Sequence, residues 1–364
     1  MNTTSYIPDI AIHPGETLLE ILNEKGMSSK ELALRTEKPE RTISCVINGK
    51  SAITSEMAIA FEKVLDLPAT FWMNLQQNYN ENLARITYNE RCKDAADWAR
   101  QFPYATMAKF GWVPSTTKAH EKAGHLFDFF KVSSERAWMN SYVSGGLRAA
   151  YRLDLAHNTK KQAITAWLRK GELLADKEIL PEYDEKKLRA ILPDLRKIMA
   201  QGKNGFFKEL KELCNNAGVC ILLVPNLTGA PIHGSSRWLK GIPVVQLSVR
   251  YKKYDRFWFT FFHELAHILL HGITYVSLEL DHYDAYDKEK EKEANQWAAQ
   301  WLISDEDFNQ LKSLNYKNPT VIKAYSKKVN THPSVIVGRL QRENLVEYND
   351  INLNRLLTKL HFKN

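Results

Sequence analysis

Between His13 and Arg85 the apolar residues recur at helical spacing in five short blocks: Leu18/Leu19/Ile21/Leu22, Leu32/Ala33, Ile43/Val46/Ile47, Met57/Ala60/Phe61/Val64 and Phe71/Trp72/Leu75. Spacings of three and four put each block on one helix face, so five compact helices are predicted. The punctuation agrees. Ser28 stands three residues before Glu31 as a capping box, Pro39 sits where a first-turn proline is tolerated, Asn48-Gly49 ends the third block and Thr54 can cap the fourth. From Ile86 to Gly202 the pattern stays helical, with aromatic-rich stretches such as DFFKVSSERAW and AYRLDLAHNTKKQAITAWLRKGELL. Nothing there has metal-ligand or nucleophile spacing, so this stretch reads as a structural or partner-binding middle region.

After Gly202 the period changes. VCILLVPN (219–226) and GIPVVQLSV (241–249) are β-rich runs, and HGSSRWLKG precedes the second, with Lys240-Gly241 able to turn a hairpin. A long aromatic helix is predicted through 257–271, then a charged loop, a helix from about Glu289 to Leu302 and two C-terminal helical pieces. The expected fold is therefore multidomain: an all-α helix-turn-helix domain at 1–85, a helical middle region at 86–202, an α+β domain with a small antiparallel sheet at 203–349, and a tail at 350–364.

Composition narrows the classes. At 364 residues the chain can hold two or three domains, and 44% hydrophobic with 25% charged residues is the make-up of an ordinary globular protein, against disorder. No internal repeat appears. No apolar run approaches the roughly 18 residues of a membrane span, and the polar start MNTTSYIPDI lacks a signal-peptide layout, so a cytoplasmic protein with no membrane partner is expected. Cys45, Cys92, Cys214 and Cys220 form no CxxC pair, so neither a zinc knuckle nor a disulfide scaffold is indicated. The net charge of +8 suggests nucleic acid until its distribution is read. Residues 1–85 hold eight Lys and Arg against eleven Asp and Glu, a net −3, which leaves +11 for the remainder. Phosphate attraction is weak in an acidic module, so any DNA binding there should be modest or need a dimer.

The densest chemistry lies in FWFTFFHELAHILLHG. Four residues apart on a helix, His263 and His267 share one face and can grip one cation, with Glu264 beside them within reach of a metal-bound water. Phe259, Phe261, Phe262, Ile268, Leu269 and Leu270 flank them, so the helix should be largely buried, where unpaired His and Glu would cost several kcal/mol. A third ligand is needed, and EKEKEANQWAAQWLIS offers Glu289, Glu291 and Glu293. Glu293 directly precedes the apolar face of Ala294, Trp297, Ala298 and Trp301 and can sit at the edge of buried surface, whereas Glu289 and Glu291 fit a solvated charge run. His271 is the rival, but it lies roughly 12 Å along the helix axis from His263 and reads better as a cleft or outer histidine.

RFWFTFFHELAHILLHG followed by EKEANQWAAQWLIS resembles the ImmA/IrrE family of zinc metallopeptidases, and GSSRWLKGIPVVQLSVRYKKYDRFWF and THPSVIVGRLQRENL agree with it, over about residues 205–345. The resemblance implies a zincin-like metallopeptidase domain, Zn2+ on His263, His267 and Glu293, and Glu264 as general base of a zinc metalloendopeptidase. It departs where the family often ends the last helix with leucines, methionine and proline, since Leu302-Ile303-Ser304 stands there. The run from His13 to Asn80 resembles the HigA-type antitoxins of the Xre/Cro-like repressors, with Ser28 to Gly49 as the two-helix unit. By that likeness Arg41, Thr42, Ser44 and Asn48 would contact bases or phosphate in the major groove and Lys50 the backbone, the module acting as a homodimer on operator DNA.

Three functional classes follow. In the first, a DNA-binding regulator of its own operon cleaves a protein partner, a repressor or a toxin–antitoxin component. In the second, a HigA-type antitoxin and repressor neutralises a cognate toxin by binding, and the zinc site is structural or vestigial. In the third, the metallopeptidase domain is itself a toxin held by a separate antitoxin. An intact Glu264 favours catalysis, because a structural site needs no base beside its open position.

Overall fold

His13 begins the ordered helices by accepting the Gly15 N–H on Nδ1, with Pro14 in the first turn where its missing N–H costs nothing. A computed structural model describes residues 10–145, 161–248, 250, 252–273, 275–280 and 287–360. The beginning of the AYRLDLAHNTKKQAITAWLRKGELL stretch and most of the charged loop before Lys288 lie outside the described residues. The chain forms two compact units, residues 1–97 with 117–124 and residues 98–116 with 125–364.

In the first unit the five expected helices are α1 (Pro14–Glu24), α2 (Ser29–Arg35), α3 (Glu40–Ile47), α4 (Ser55–Leu65) and α5 (Ala69–Asp94). Ser28 Oγ accepts the Glu31 N–H at 3.1 Å and Thr54 Oγ1 the Met57 N–H at 3.2 Å, the two side-chain caps read from the pattern. Leu18, Leu22, Leu32, Ile43, Val46, Phe61 and Trp72 share one core. A β-carbon at Gly15 would stand 1.9 Å from the carbonyl oxygen of Val46, so only glycine lets α1 rest on the backbone of α3. Helix α5 runs unbroken through residue 85.

Along the chain come four short helices, α6 (Ala96–Arg100), α7 (Tyr104–Lys109), α8 (Ala119–Phe130) and α9 (Glu135–Trp138). In the second unit Trp98, Phe102, Phe127, Phe130 and Trp138 form an aromatic cluster, with Trp98 and Phe127 stacked at 5.1 Å. Next are α10 (Lys161–Ala175), α11 (Glu185–Gln201), α12 (Phe206–Asn216), the strands β1 (Cys220–Leu223), β2 (Ile232–Leu239) and β3 (Ile242–Leu247), and α13 (Tyr254–Ala266). Strand β4 (Glu279–Leu280) and helices α14 (Lys288–Leu302), α15 (Asp305–Lys312), α16 (Pro319–Lys328), α17 (Pro333–Arg342) and α18 (Ile351–Asn354) complete the described elements.

The strand order is β1-β3-β2-β4. Lys240 and Gly241, both at positive φ, make the two-residue turn joining β2 to β3, since Leu239 pairs with Ile242. The sheet is mixed rather than wholly antiparallel, because β1 adds to β3 in parallel with Cys220 opposite Val244. Both faces of β3 are buried, which is why its run is largely apolar, with Gln246 the polar exception. Val245 enters the main core with α13, while its neighbour Gln246 points to α10 and donates to the Trp167 carbonyl at 2.7 Å. A β-carbon at Gly171 would meet Gln246 Oε1 at 1.8 Å, so α10 is seated directly on the sheet. Leu188, Leu192, Leu195 and Met199 of α11 join the same core as Trp258, Phe261 and Phe262. The last helices of the middle stretch are thus walls of the core that carries the HExxH helix.

Two expectations need adjustment. The single helix expected to reach 271 is α-helical only to Ala266, after which His267–His271 form a π-helical turn. Four helices, not two, follow α14 among the described residues, and α15 to α17 close their own core around Phe308, Ile322 and Ile336. No disulfide links Cys45, Cys92, Cys214 or Cys220 among the described residues, and the last three are buried. Among the described residues no helix is long and apolar enough to cross a membrane.

Candidate functional site

Helix α13 is held in place by its aromatic face. Phe257, Trp258, Phe261, Phe262 and Leu265 are buried at spacings of three and four, and the Tyr254 hydroxyl donates to the Met199 carbonyl at 2.7 Å. That packing turns His263, Glu264 and His267 toward β2 and α14. On β2, a β-carbon at Gly234 would lie 2.6 Å from Thr260 Cγ2 and 2.8 Å from Glu264 Oε1. The strand can therefore approach the helix only because this residue has no side chain.

The two imidazoles converge with a carboxylate from α14. His263 Nε2 lies 3.0 Å from His267 Nε2, and Glu291 offers Oε2 at 3.2 Å to the first and Oε1 at 3.3 Å to the second. Two donors each about 2.0–2.1 Å from one tetrahedral cation stand roughly 3.3 Å apart, so this set fits a zinc-sized ion. His263, His267 and Glu291 form the metal-capable cluster among the described residues, with donor atoms within 4.8 Å of one another.

Glu293, expected as the third ligand, is not in that cluster. Its side chain is 61% exposed, with Oε2 3.1 Å from His271 Nε2. Helix rotation explains the difference. Buried Ala294, Ala298 and Leu302 mark the inner face of α14, and Glu291, three residues before Ala294 and seven before Ala298, falls on it. Glu293, two residues on, is turned about 160° from Glu291, so the residue read as part of a solvated charge run is the one turned inward.

Glu264 is fully buried, and neither carboxylate oxygen has a hydrogen-bond partner. Burial pushes its pKa up to about 8 against the pull of His263, and the Ser236 hydroxyl nearby favours the charged form without making a well-formed hydrogen bond. Burial works against charging His263, but its hydrogen bond with Glu291 and the carboxylates of Glu279 and Glu264 outweigh this and hold its pKa up, at about 9. Burial and the neighbouring His263 push His267 down to about 4 despite Glu291. Burial alone would raise Glu291, yet its hydrogen bonds to both imidazoles keep it ionised.

Sequence reasoning missed Tyr275. Its hydroxyl donates to Glu291 Oε1 at 2.9 Å and its ring stacks on His267 at 4.9 Å, so it steadies both. It comes from an irregular segment beyond Gly272, where periodicity carries no signal. His271, read as an outer histidine, has Nδ1 2.8 Å from His267 Nδ1.

In the first unit, Arg41, Ser44, Asn48 and Lys50 are exposed and Thr42 is half-buried. Arg41, Ser44 and Asn48 follow one another at helical spacing on or just after α3, and Asn48 Nδ2 donates to the Ser44 carbonyl at 2.8 Å.

Two family matches agree with these sites. Residues 18–72 match the helix-turn-helix family and residues 219–325 match the IrrE N-terminal-like domain, a peptidase family. The uncharacterized HTH-type transcriptional regulator YddM of Escherichia coli is 36% identical over 67 residues, 18% of this chain and 71% of the relative. The chain belongs to the helix-turn-helix regulators, with an IrrE N-terminal-like domain. The IrrE-like match spans β1 through most of α16 and so contains all three clustered side chains. Virulence-associated protein A of Dichelobacter nodosus is 33% identical over 84 residues, 22% of this chain and 78% of the relative. For YbaQ of Escherichia coli the figures are 38% over 64 residues, 17% of this chain and 57% of the relative. Among solved structures, a HigA-family addiction-module antidote protein from Coxiella burnetii aligns at 29% identity and a TM-score of 0.22, covering 23% of this chain and 92% of that one. Pseudomonas aeruginosa antitoxin HigA, solved with its higBA promoter, aligns at 33% identity and a TM-score of 0.22, covering 22% and 89%.

Proposed function

We propose that this protein is a DNA-binding regulator whose IrrE-like domain is a zinc-dependent endopeptidase acting on a protein partner. The observation carrying the enzymatic half is the donor set of His263, His267 and Glu291, spaced 3.0 to 3.3 Å apart, with the unpartnered carboxyl of Glu264 next to it. The two imidazoles and Glu291 would hold the ion and leave a fourth position open, and Tyr275 would hold the carboxylate of Glu291 in place. Zinc would supply a Lewis acid that makes water nucleophilic near neutral pH. Glu264 would accept the proton of the attacking water on a carboxylate oxygen and return it to the leaving amine, so that one peptide bond and one water become a carboxylate and an amine. The Phe259 ring stacks on His263 with centroids 6.1 Å apart, and the aromatic core lies behind it.

The regulatory half rests on the helix-turn-helix match and on the exposed positions of Arg41, Ser44, Asn48 and Lys50, which together with Thr42 would read operator DNA from a homodimer. A repressor or toxin–antitoxin component is the partner class that joins the two halves. Glu264 ranks catalysis above a purely neutralising antidote, because a structural site has no use for a buried acid without partners. Zinc content and cleavage of partners co-purified from the native host, compared between the wild type and Glu264→Gln, test the reading. Equal cleavage by the glutamine variant would overturn it.

A further inference from the structure

We infer that His271 and Glu293 form an outer relay that fixes the tautomer and the aim of His267, an inference that rests on the zinc reading above. His267 turns Nε2 toward His263 and Glu291, so in that role its ring hydrogen is on Nδ1. Nδ1 lies 2.8 Å from His271 Nδ1, which must then be the acceptor and leave the second ring hydrogen on His271 Nε2. That atom is 3.1 Å from Glu293 Oε2. Each donor in the series has one acceptor, and the series ends on a charged carboxylate at the surface, the side chain of Glu293 being 61% exposed and that of His271 3% exposed.

The backbone is shaped for this contact. The π-helical turn over His267–His271 widens the winding at the point where the two rings must face each other, and Tyr275 packs against both, at 4.9 Å and 5.1 Å between ring centroids. Glu291 and Glu293 thus divide the work of α14: the first enters the cluster, and the second reaches it through two rings. Fixing a ligand imidazole from behind is worth about 10–100-fold in metal affinity. His271 and Glu293 are positioning residues, since neither touches the cluster's centre.

The test is zinc affinity of the full-length chain, measured by competition with a chromophoric chelator at a single pH. His271→Ala should weaken zinc 10–100-fold and Glu293→Ala by roughly tenfold, with His271→Gln recovering much of the loss because its amide oxygen can accept from His267. Because the groups act in series, His271→Ala/Glu293→Ala should bind zinc no more weakly than His271→Ala alone. An unchanged affinity in His271→Ala, or an equal further loss from Glu293→Ala in the His271→Ala background, overturns the relay. Complete loss of zinc from Glu293→Ala also overturns it and makes Glu293 a direct ligand. A wild-type chain that takes up no zinc fails the metal reading itself, a result distinct from all of these.

Discussion

Gly234 on β2 and Glu264 on α13 approach so closely that a β-carbon on the glycine would stand 2.8 Å from Oε1 of the glutamate. Neither could move without loosening the strand or turning the carboxyl away from the histidines. Gly234→Ala is therefore expected to keep its zinc ligands yet lose activity at least tenfold, and to cost about 1–3 kcal/mol from overpacking. Calorimetry, zinc analysis and a cleavage assay on the same preparation check it, and full activity in the alanine variant would contradict the placement of Glu264.

Replacing Glu264 by glutamine keeps the volume and removes the proton acceptor. The variant should fold, bind one zinc and show a thermal midpoint close to wild type, while cleavage falls by about 10²–10⁴-fold. His263→Ala should instead lose the metal and with it whatever stability the metal supplies. Elemental analysis beside thermal melts separates the two outcomes.

His332 supplies a pH dependence away from the cluster. Its Nδ1 accepts the Ser334 N–H at 3.1 Å to start α17, its ring packs on Tyr254 at 4.4 Å, and burial pushes its pKa down to about 4. A histidine kept neutral in the fold contributes stability that is present above its ordinary pKa of 6.5 and is lost as pH falls from there through 4. After discounting its partial exposure, this is of order 1–2 kcal/mol by pH 4. His332→Asn retains a helix-capping side chain without the titration, so its stability should decline less between pH 6.5 and 4 in denaturant titrations; a parallel decline would refute the assignment.

On the DNA side, Arg41→Ala and Asn48→Ala are each expected to weaken binding to the protein's own promoter by 1–3 kcal/mol while leaving the helical core intact. Lys50→Ala should weaken all sequences alike and flatten the salt dependence. Mobility shifts at several salt concentrations are the measurement. Equal affinity for scrambled DNA would count against sequence reading by α3.

What could be read from the sequence divides by distance along the chain. The five N-terminal helices, the Lys240-Gly241 turn and the pairing of His263 with His267 depend on residues within four or five of each other, and local spacing expresses them directly. The choice between Glu291 and Glu293 depends on how α14 is rotated against α13, which its own sequence does not state. Both glutamates border the same apolar stripe, and only the packing of Ala294 and Ala298 decides which one faces in. Tyr275 and the parallel pairing of β1 were hidden for a similar reason, one being set by a loop and the other by a contact across the sheet.

The Tyr254 hydroxyl binds the carbonyl of Met199, and the leucines of α11 belong to the same core as the aromatic residues of α13. Helix α13, which carries His263 and Glu264, is therefore braced by residues that precede the first strand. A fragment trimmed to residue 203 would strip that brace and take Leu188, Leu192, Leu195 and Met199 out of the core that holds Trp258 and Phe261. For anyone excising or transplanting this domain, the smallest piece that carries its own foundations must begin well upstream of the first β-strand.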